Sequence, residues 1–210
     1  MSALRERKTD LTIIIPVYNL EAYITPMLES LKAQVFGDYT VEILIVLNNC
    51  TDNTELVIRQ SGLHCTLLDC TTQGCGPARN TGLDAAHGEY IWMLDGDDWL
   101  LSNTAVHDAL DRVYADNLNI LYIPLTSQTF TWQYFSMVCQ YMIRREFIGD
   151  TRFPNYQPAE DDAFMQTILT RAGVGRYTYH NLPHLDEQLY YYNYGRPGSN
   201  MMRYYAGEII

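Results

Sequence analysis

The chain has 210 residues, 47% of them hydrophobic and 19% charged, which suits one globular domain with a sizeable core. Fourteen Lys and Arg against 25 Asp and Glu leave a formal net charge of -11, which repels polyanions and argues against nucleic acid or an anionic membrane surface as a partner. No apolar run reaches the roughly eighteen residues of a membrane span, and MSALRERKTD leads into a strand rather than a signal-peptide core, so a cytoplasmic protein, or one peripheral at the inner face of a membrane, is expected.

The run LTIIIPV (11–17) is β-branched and apolar, and the LEAYITPMLESLKAQ that follows carries Leu20, Ile24, Leu28 and Leu31 at helical spacing, with Pro26 tolerable in an early turn. VEILIVL (41–47) repeats the strand signal, and NNCTDNTELVIRQ repeats the helix start, with Thr51 or Asp52 as the N-cap. A short strand over 65–69, a helix over 76–86, a strand over 90–94, a helix over 103–115 and a strand over 118–125 continue the alternation. Such regular β-α alternation with apolar strands predicts an α/β protein, its mainly parallel sheet covered by helices on both faces. After residue 126 the pattern changes: TFTWQYFSMVCQYMIRREF is amphipathic, FPNYQPAEDD reads as a loop, DAFMQTILTRAG as a helix stopped by Gly173, and LYYYNYGRPGSNMM as an aromatic strand running into a turn.

Open α/β sheets bind ligands outside the carboxyl ends of their strands, where loops converge and helix N-termini offer positive dipole ends. Asn19, Asn48–Asp52, Gln73–Arg79 and Asp95–Asp98 all fall at such ends. In IWMLDGDDWL, Asp95, Asp97 and Asp98 crowd behind a buried strand, an arrangement that costs stability unless a cation or donor answers it. Carboxylates spaced as Asp95 and Asp97 suit a hard divalent ion, Mn²⁺ or Mg²⁺, whose shell is completed by water and substrate phosphate. A turn with Asx-type hydrogen bonds before Trp99 is the competing reading. The five cysteines (Cys50, Cys65, Cys70, Cys75, Cys139) include no C-x-x-C pair, so reduced thiols are expected rather than a zinc ribbon or disulfide framework. His180 and His184 share a four-residue spacing, but Pro183 between them opposes a helical metal site.

The segments IIIPVYN (13–19), CTDNT (50–54), GPARNTGL (76–83), GEYIWMLDGDDWL (88–100) and AEDDAF (159–164) together resemble the large family 2 of inverting, GT-A-type glycosyltransferases. RREF (144–147) and LYYYNYGRPGS (189–199) resemble the tail of that family, so the likeness covers nearly the whole chain. Any one motif is weak, whereas all of them in order are specific.

The resemblance implies a Rossmann-like GT-A fold in one domain, 1–210, with a nucleotide-sugar-binding part over about 11–125 and a small acceptor-side and catalytic-base part over about 126–210. It implies a metal and ribose role for Asp95, Asp97 and Asp98, and it leaves open which touches metal. Donor contacts are implied for Pro16, for Tyr18 against the nucleobase, for Asn48, and for Arg79 and Arg196 toward the diphosphate. A salt bridge to a nearby aspartate is the equally good alternative for Arg79, and Arg144 and Arg145 either line the site or cap their helix. Asp161 falls where the family places its general base, flanked by Glu160 and Asp162, and like-charge neighbours raise the pKa of such a group toward working pH. Trp132, Tyr134, Phe135, Tyr141 and Tyr156 fall on the acceptor side, where aromatic faces pack on sugar rings, though most read as core.

The chain departs from the family pattern at Leu47 and Asn48, which replace two customary aspartates; an Asn amide still complements a uracil imide, so UDP is favoured over GDP or dTDP. The expected activity is metal-dependent, inverting transfer of a sugar from a nucleotide-sugar to a hydroxyl of a glycan, lipid-linked or other acceptor, in cell-surface polysaccharide assembly. Few acceptor-side residues separate Leu125 from Asp150, which suggests an open groove or a site completed by a second copy in a homodimer. The alternatives are a non-catalytic nucleotide- or glycan-binding relative, for which Leu47 and Asn48 are the hints, and a sugar nucleotidyltransferase, which wants a glycine-rich basic loop where IIIPVYN stands.

Overall fold

The structure is a computed structural model that describes residues 8–127, 137–155, 160–175, 178, 181–194 and 196–197. Strands β1 (Leu11–Val17), β2 (Val41–Leu47), β3 (Thr66–Asp69) and β4 (Tyr90–Met93) pair in parallel, with β1 between β2 and β4 and β3 outside β2. Residues along β1 alternate between two apolar clusters: Ile13, Ile15 and Val17 join one and Ile14 the other, as the two-residue period of a strand requires.

Helices α1 (Thr25–Lys32) and α2 (Thr54–Ser61) cover the first face with Met27, Leu28, Leu31 and Ile58. Helix α3 (Cys75–Ala85) covers the second with Ala78 and Leu83. Helix α4 (Ala105–Ala115) adds Val106, Ala109, Leu110 and Val113 to the first cluster, and α6 (Glu160–Arg171) adds Phe164, Met165, Ile168 and Leu169 to the second. Each fully buried Val, Leu, Ile, Phe or Met side chain among these contributes about 1.5–3 kcal/mol. The expected α/β architecture is therefore present, and no described helix is long and apolar enough to cross a membrane.

The far half of the sheet differs from the sequence expectation. Strand β8 (Tyr141–Arg144), which lies in the segment read only as amphipathic, runs antiparallel between β4 and β6 (Ile120–Tyr122), giving the order β3-β2-β1-β4-β8-β6. The single strand predicted over 118–125 is instead divided. Its end, β7 (Leu125–Thr126), joins a small second sheet with β5 (Trp99–Leu100) and β9 (Tyr190–Tyr191), in the order β5-β9-β7. That small sheet brings the C-terminal segment to the loop after β4, and the short α5 (Arg145–Ile148) follows β8 directly.

Helix ends also shift. The first helix starts at Thr25 rather than near Leu20, with Pro26 in its first turn where a fixed φ favours initiation. Asn53, not Thr51 or Asp52, takes the N-cap position of α2, while Asp52 Oδ1 still accepts the Thr54 N–H at 3.0 Å. At the other end of the chain, α6 begins at Glu160, so Glu160, Asp161 and Asp162 all lie in its first turn, where the helix dipole favours anions.

Candidate active site

The loop after β4 fans its aspartates apart. Gly96 is required there by packing: a Cβ would stand 2.8 Å from Leu20 Cδ1 and 2.9 Å from Val17 Cγ1. Asp95 turns toward α3, where Arg79 Nη2 donates to Asp95 Oδ1 at 2.8 Å. Asp97 pairs with Arg196, whose guanidinium also lies 5.0 Å from the centre of the Tyr23 ring. Asp98 turns inward and is 1% exposed; Tyr190 Oη donates to its Oδ2 and the Asn193 N–H to its Oδ1 at 2.8 Å. Burial, and then the neighbouring Asp97 and Asp95, push the Asp98 carboxyl well above the usual range, against the lowering effect of those two hydrogen bonds. Burial and Asp95 likewise raise Asp97, with Arg196 opposing. Among the described residues no three His, Cys, Asp or Glu side chains are arranged to chelate a metal by themselves.

Tyr190 is the residue of the candidate site that the sequence reading did not single out. Its hydroxyl both donates to Asp98 and accepts the Asp95 N–H at 3.1 Å, so one phenol holds the whole acidic loop against β9. The available signal was the run LYYYNYG, whose tyrosines look alike until strand register turns Tyr190 inward and leaves Tyr191 stacked on Trp99 at 4.0 Å. Tyr190→Phe is expected to cost about 1–3 kcal/mol in chemical denaturation, because the buried Asp98 carboxyl loses one of its two donors and the Asp95 N–H loses its acceptor.

Arg79 projects from α3 into the second cluster of acids. Its side chain is 4% exposed; Nη1 donates to Asp161 Oδ1 at 2.5 Å and to Glu160 Oε1 at 3.3 Å. The guanidinium lies 5.4 Å from the centre of the Phe153 ring, which stacks on Phe164 at 4.0 Å, and its Nε is buried with no hydrogen-bond partner. Helix α3 reaches this depth because Gly82 lets it sit on β1, where a Cβ would stand 2.4 Å from Ile14 Cγ2. Burial raises Asp161 to about 7; Arg79 opposes the shift, while Glu160 and Asp95 add to it. The outcome is a rim carboxyl, 24% exposed, poised to hold or release a proton near neutral pH. Asp162 is half-buried beside it.

At the carboxyl ends of β1 and β2 the predicted nucleotide residues separate. Pro16 is buried within β1 opposite Val46, whereas Tyr18 stands 43% exposed just beyond it. Asn48 is buried, and its amide is spent on the loop after β3 rather than presented to solvent. Arg144 and Arg145 are not at this rim. They sit at the opposite end of β4, where Arg144 pairs with Glu89 and Arg145 Nε donates to the Gly88 carbonyl at 2.8 Å. Tyr141 is a core residue, packed 5.6 Å from the Tyr122 ring, and His184 Nδ1 lies 3.0 Å from the Leu182 carbonyl. Cys50, Cys65, Cys70 and Cys139 are free thiols. Trp132, Tyr134, Phe135, Tyr156 and His180 lie outside the described residues.

Comparison with known proteins shows the family and the fold. The sequence profile of glycosyl transferase family 2 matches residues 12–178. The poly(ribitol-phosphate) beta-N-acetylglucosaminyltransferase TarS of Staphylococcus aureus is 32% identical over 115 residues, which make up 52% of this chain and 20% of TarS. The crystal structure of S. aureus TarS 1–349 with UDP-GlcNAc superposes with a TM-score of 0.78 at 23% identity, covering 92% of this chain and 61% of that one. The mannosyltransferase PcManGT from Pyrobaculum calidifontis, in complex with GDP-Man and Mn²⁺, gives a TM-score of 0.71 at 18% identity, covering 93% of this chain and 60% of that one. These likenesses show the fold, which is GT-A, and this chain spans only part of the length of either relative.

Proposed function

The chain belongs to glycosyl transferase family 2, and on that premise we propose that it transfers a sugar from a UDP-sugar to a hydroxyl of a glycan or lipid-linked acceptor, with inversion and with a divalent metal, as a single domain. The observation that carries this reading is the charge balance of the rim: Asp95, Asp97, Asp98, Glu160 and Asp161 face only Arg79 and Arg196 among the described residues. That excess of carboxyl groups favours a further cation.

The donor set fits Mn²⁺ or Mg²⁺, which takes hard oxygen ligands and commonly only one or two protein carboxylates beside substrate phosphate. Asp97 and Asp95 would hold it, because both oxygens of Asp98 are committed to Tyr190 and Asn193. When bound, the metal supplies positive charge against the departing diphosphate. Arg196 is a second cation for that diphosphate, on a segment that Asp98 anchors through Asn193. Tyr18 offers an exposed aromatic face to the base.

Asp161 acts as the general base. It takes the proton of the acceptor hydroxyl as that oxygen bonds to the anomeric carbon, and the anomeric carbon–oxygen bond to the diphosphate breaks on the opposite face. Arg79 holds Asp161 and Asp95 in one frame, and Glu160 keeps the base from becoming too acidic. The likeness to TarS, crystallised in complex with UDP-GlcNAc, supports UDP as the nucleotide.

Incubation with UDP-GlcNAc, UDP-glucose and GDP-mannose in Mn²⁺ tests the reading. Release of the nucleoside diphosphate from one donor, with an inverted anomer in the NMR spectrum of the product, is the expected result. A retained anomer refutes the single displacement, and failure to release or bind any nucleotide leaves the non-catalytic reading that the neutral Leu47–Asn48 pair favours.

A further inference from the structure

Asn48 has no amide hydrogen left for a ligand. One amide hydrogen goes to the Thr72 carbonyl at 2.6 Å, the other to the Cys70 carbonyl at 3.3 Å, and its Oδ1 accepts the Gly74 N–H at 2.8 Å. The residue is 3% exposed. An ionised carboxylate in its place would face two carbonyl oxygens with no proton to offer, so this loop is built for an amide and against an Asp.

The loop that Asn48 braces is stapled a second time from Asn49. That residue takes a left-handed backbone, φ 58°, and its Nδ2 donates to the Thr71 carbonyl at 3.1 Å and, at a long 3.4 Å, toward Gln73 Oε1. With the carbonyls of Cys70, Thr71 and Thr72 all drawn back onto the end of β2, the side chains of Thr71, Thr72 and Gln73 remain exposed. The rim here carries the exposed Tyr18 ring on the neighbouring strand end, because the Asn48 N–H bonds the Val17 carbonyl at 2.9 Å and the Cys70 N–H bonds the Leu47 carbonyl at 2.9 Å.

We propose that Asn48 is a positioning residue that fixes the 70–74 loop, and that the exposed amide of Gln73 reads the imide edge of the nucleobase. The inference rests on the UDP-sugar reading above and names the residue that gives it base preference. Uracil presents an N3–H donor beside a carbonyl acceptor, and a primary amide offers the matching acceptor and donor, so two hydrogen bonds form together. The Gln73 carbonyl has a second lone pair beyond the long contact with Asn49. Cytosine presents the reversed pattern, an N3 acceptor beside an amino donor, which an amide held in the orientation that Asn49 sets on Gln73 Oε1 does not match.

Two measurements on the full chain test the proposal. The first needs no nucleotide. Asn48→Asp is expected to lower the thermal midpoint by roughly 5–10 °C at pH 7, since an uncompensated buried carboxylate replaces a fully bonded amide. The gap should narrow as the pH falls toward about 4, where the acid form regains one donor; an unchanged midpoint overturns the strut. The second is calorimetry with UDP and CDP in Mn²⁺. Wild type should prefer UDP roughly tenfold or more, and Gln73→Ala should erase that preference by weakening UDP alone. A preference that survives in Gln73→Ala overturns the base-reading role, as does tighter UDP binding by Asn48→Asp. Wild-type protein that binds neither nucleotide refutes the transferase reading and the role of Gln73 with it, while the thermal comparison still decides the strut.

Discussion

Asp161→Asn is expected to slow sugar transfer by roughly 10²–10⁴-fold, with the donor KM little changed, because the variant keeps the acceptor-side shape and loses only the proton acceptor. The same substitution should make the protein more stable. Burial holds the carboxyl of Asp161 at about 7, above its unfolded value, so the folded state binds more protons between about pH 4 and 7 and stability falls as pH rises across that window. Asn carries no charge to desolvate, and its carbonyl still accepts from Arg79. The gain over wild type should be absent below about pH 4 and reach roughly a few kcal/mol above about pH 7. Chemical denaturation at several pH values checks it. The kcat/KM of wild type should fall about tenfold per pH unit on the acid side of about pH 7, a limb that Asp161→Asn abolishes. Full activity in Asp161→Asn would mean that another group takes the proton.

Arg79 carries the largest expected effect on stability. It is the only guanidinium among the described residues in contact with Asp95, Glu160 and Asp161, and its removal strands three carboxyl groups, one of them buried. Arg79→Met should cost about 3–5 kcal/mol at neutral pH, the usual penalty for breaking a buried ion pair from one side. Lowering the pH toward 4 should recover part of it, as the orphaned carboxyls protonate and cease to repel. Arg79→Lys is the milder probe: it keeps the charge but cannot span Asp95 and Asp161 with two separate nitrogens. Lys is therefore expected to fold with an intact spectrum while losing turnover. A Lys variant with normal kcat would show that the bridge between the two carboxyl groups is structural only.

The parallel half of the fold was legible in the sequence because its signals are local. LTIIIPV and VEILIVL are continuous apolar runs, as strands buried on both faces must be, and they form β1 and β2 over the predicted residues. The far half was not. Strand β8 has four residues and sits where an amphipathic helix reads equally well, and its pairing with β4 and β6 is a long-range choice. The aspartate loop was legible as a site, since three acids behind a buried strand demand an answer. Their division of labour was not, because it depends on partners almost a hundred residues away: Arg196 for Asp97, and Tyr190 with Asn193 for Asp98. Asn48 shows the same limit. Its amide chemistry fits a base on paper, but the carbonyls of Cys70 and Thr72 reach it first.

We propose that the acidic rim needs a divalent ion and a nucleoside diphosphate together. Calorimetric titration of UDP into wild type and Asp97→Asn, each with and without Mn²⁺, tests it most directly. Micromolar-range binding by wild type is expected only with Mn²⁺, with a loss of at least roughly tenfold without the metal and a metal response that disappears in Asp97→Asn. Equal UDP affinity with and without Mn²⁺, or an undiminished metal response in Asp97→Asn, would contradict it.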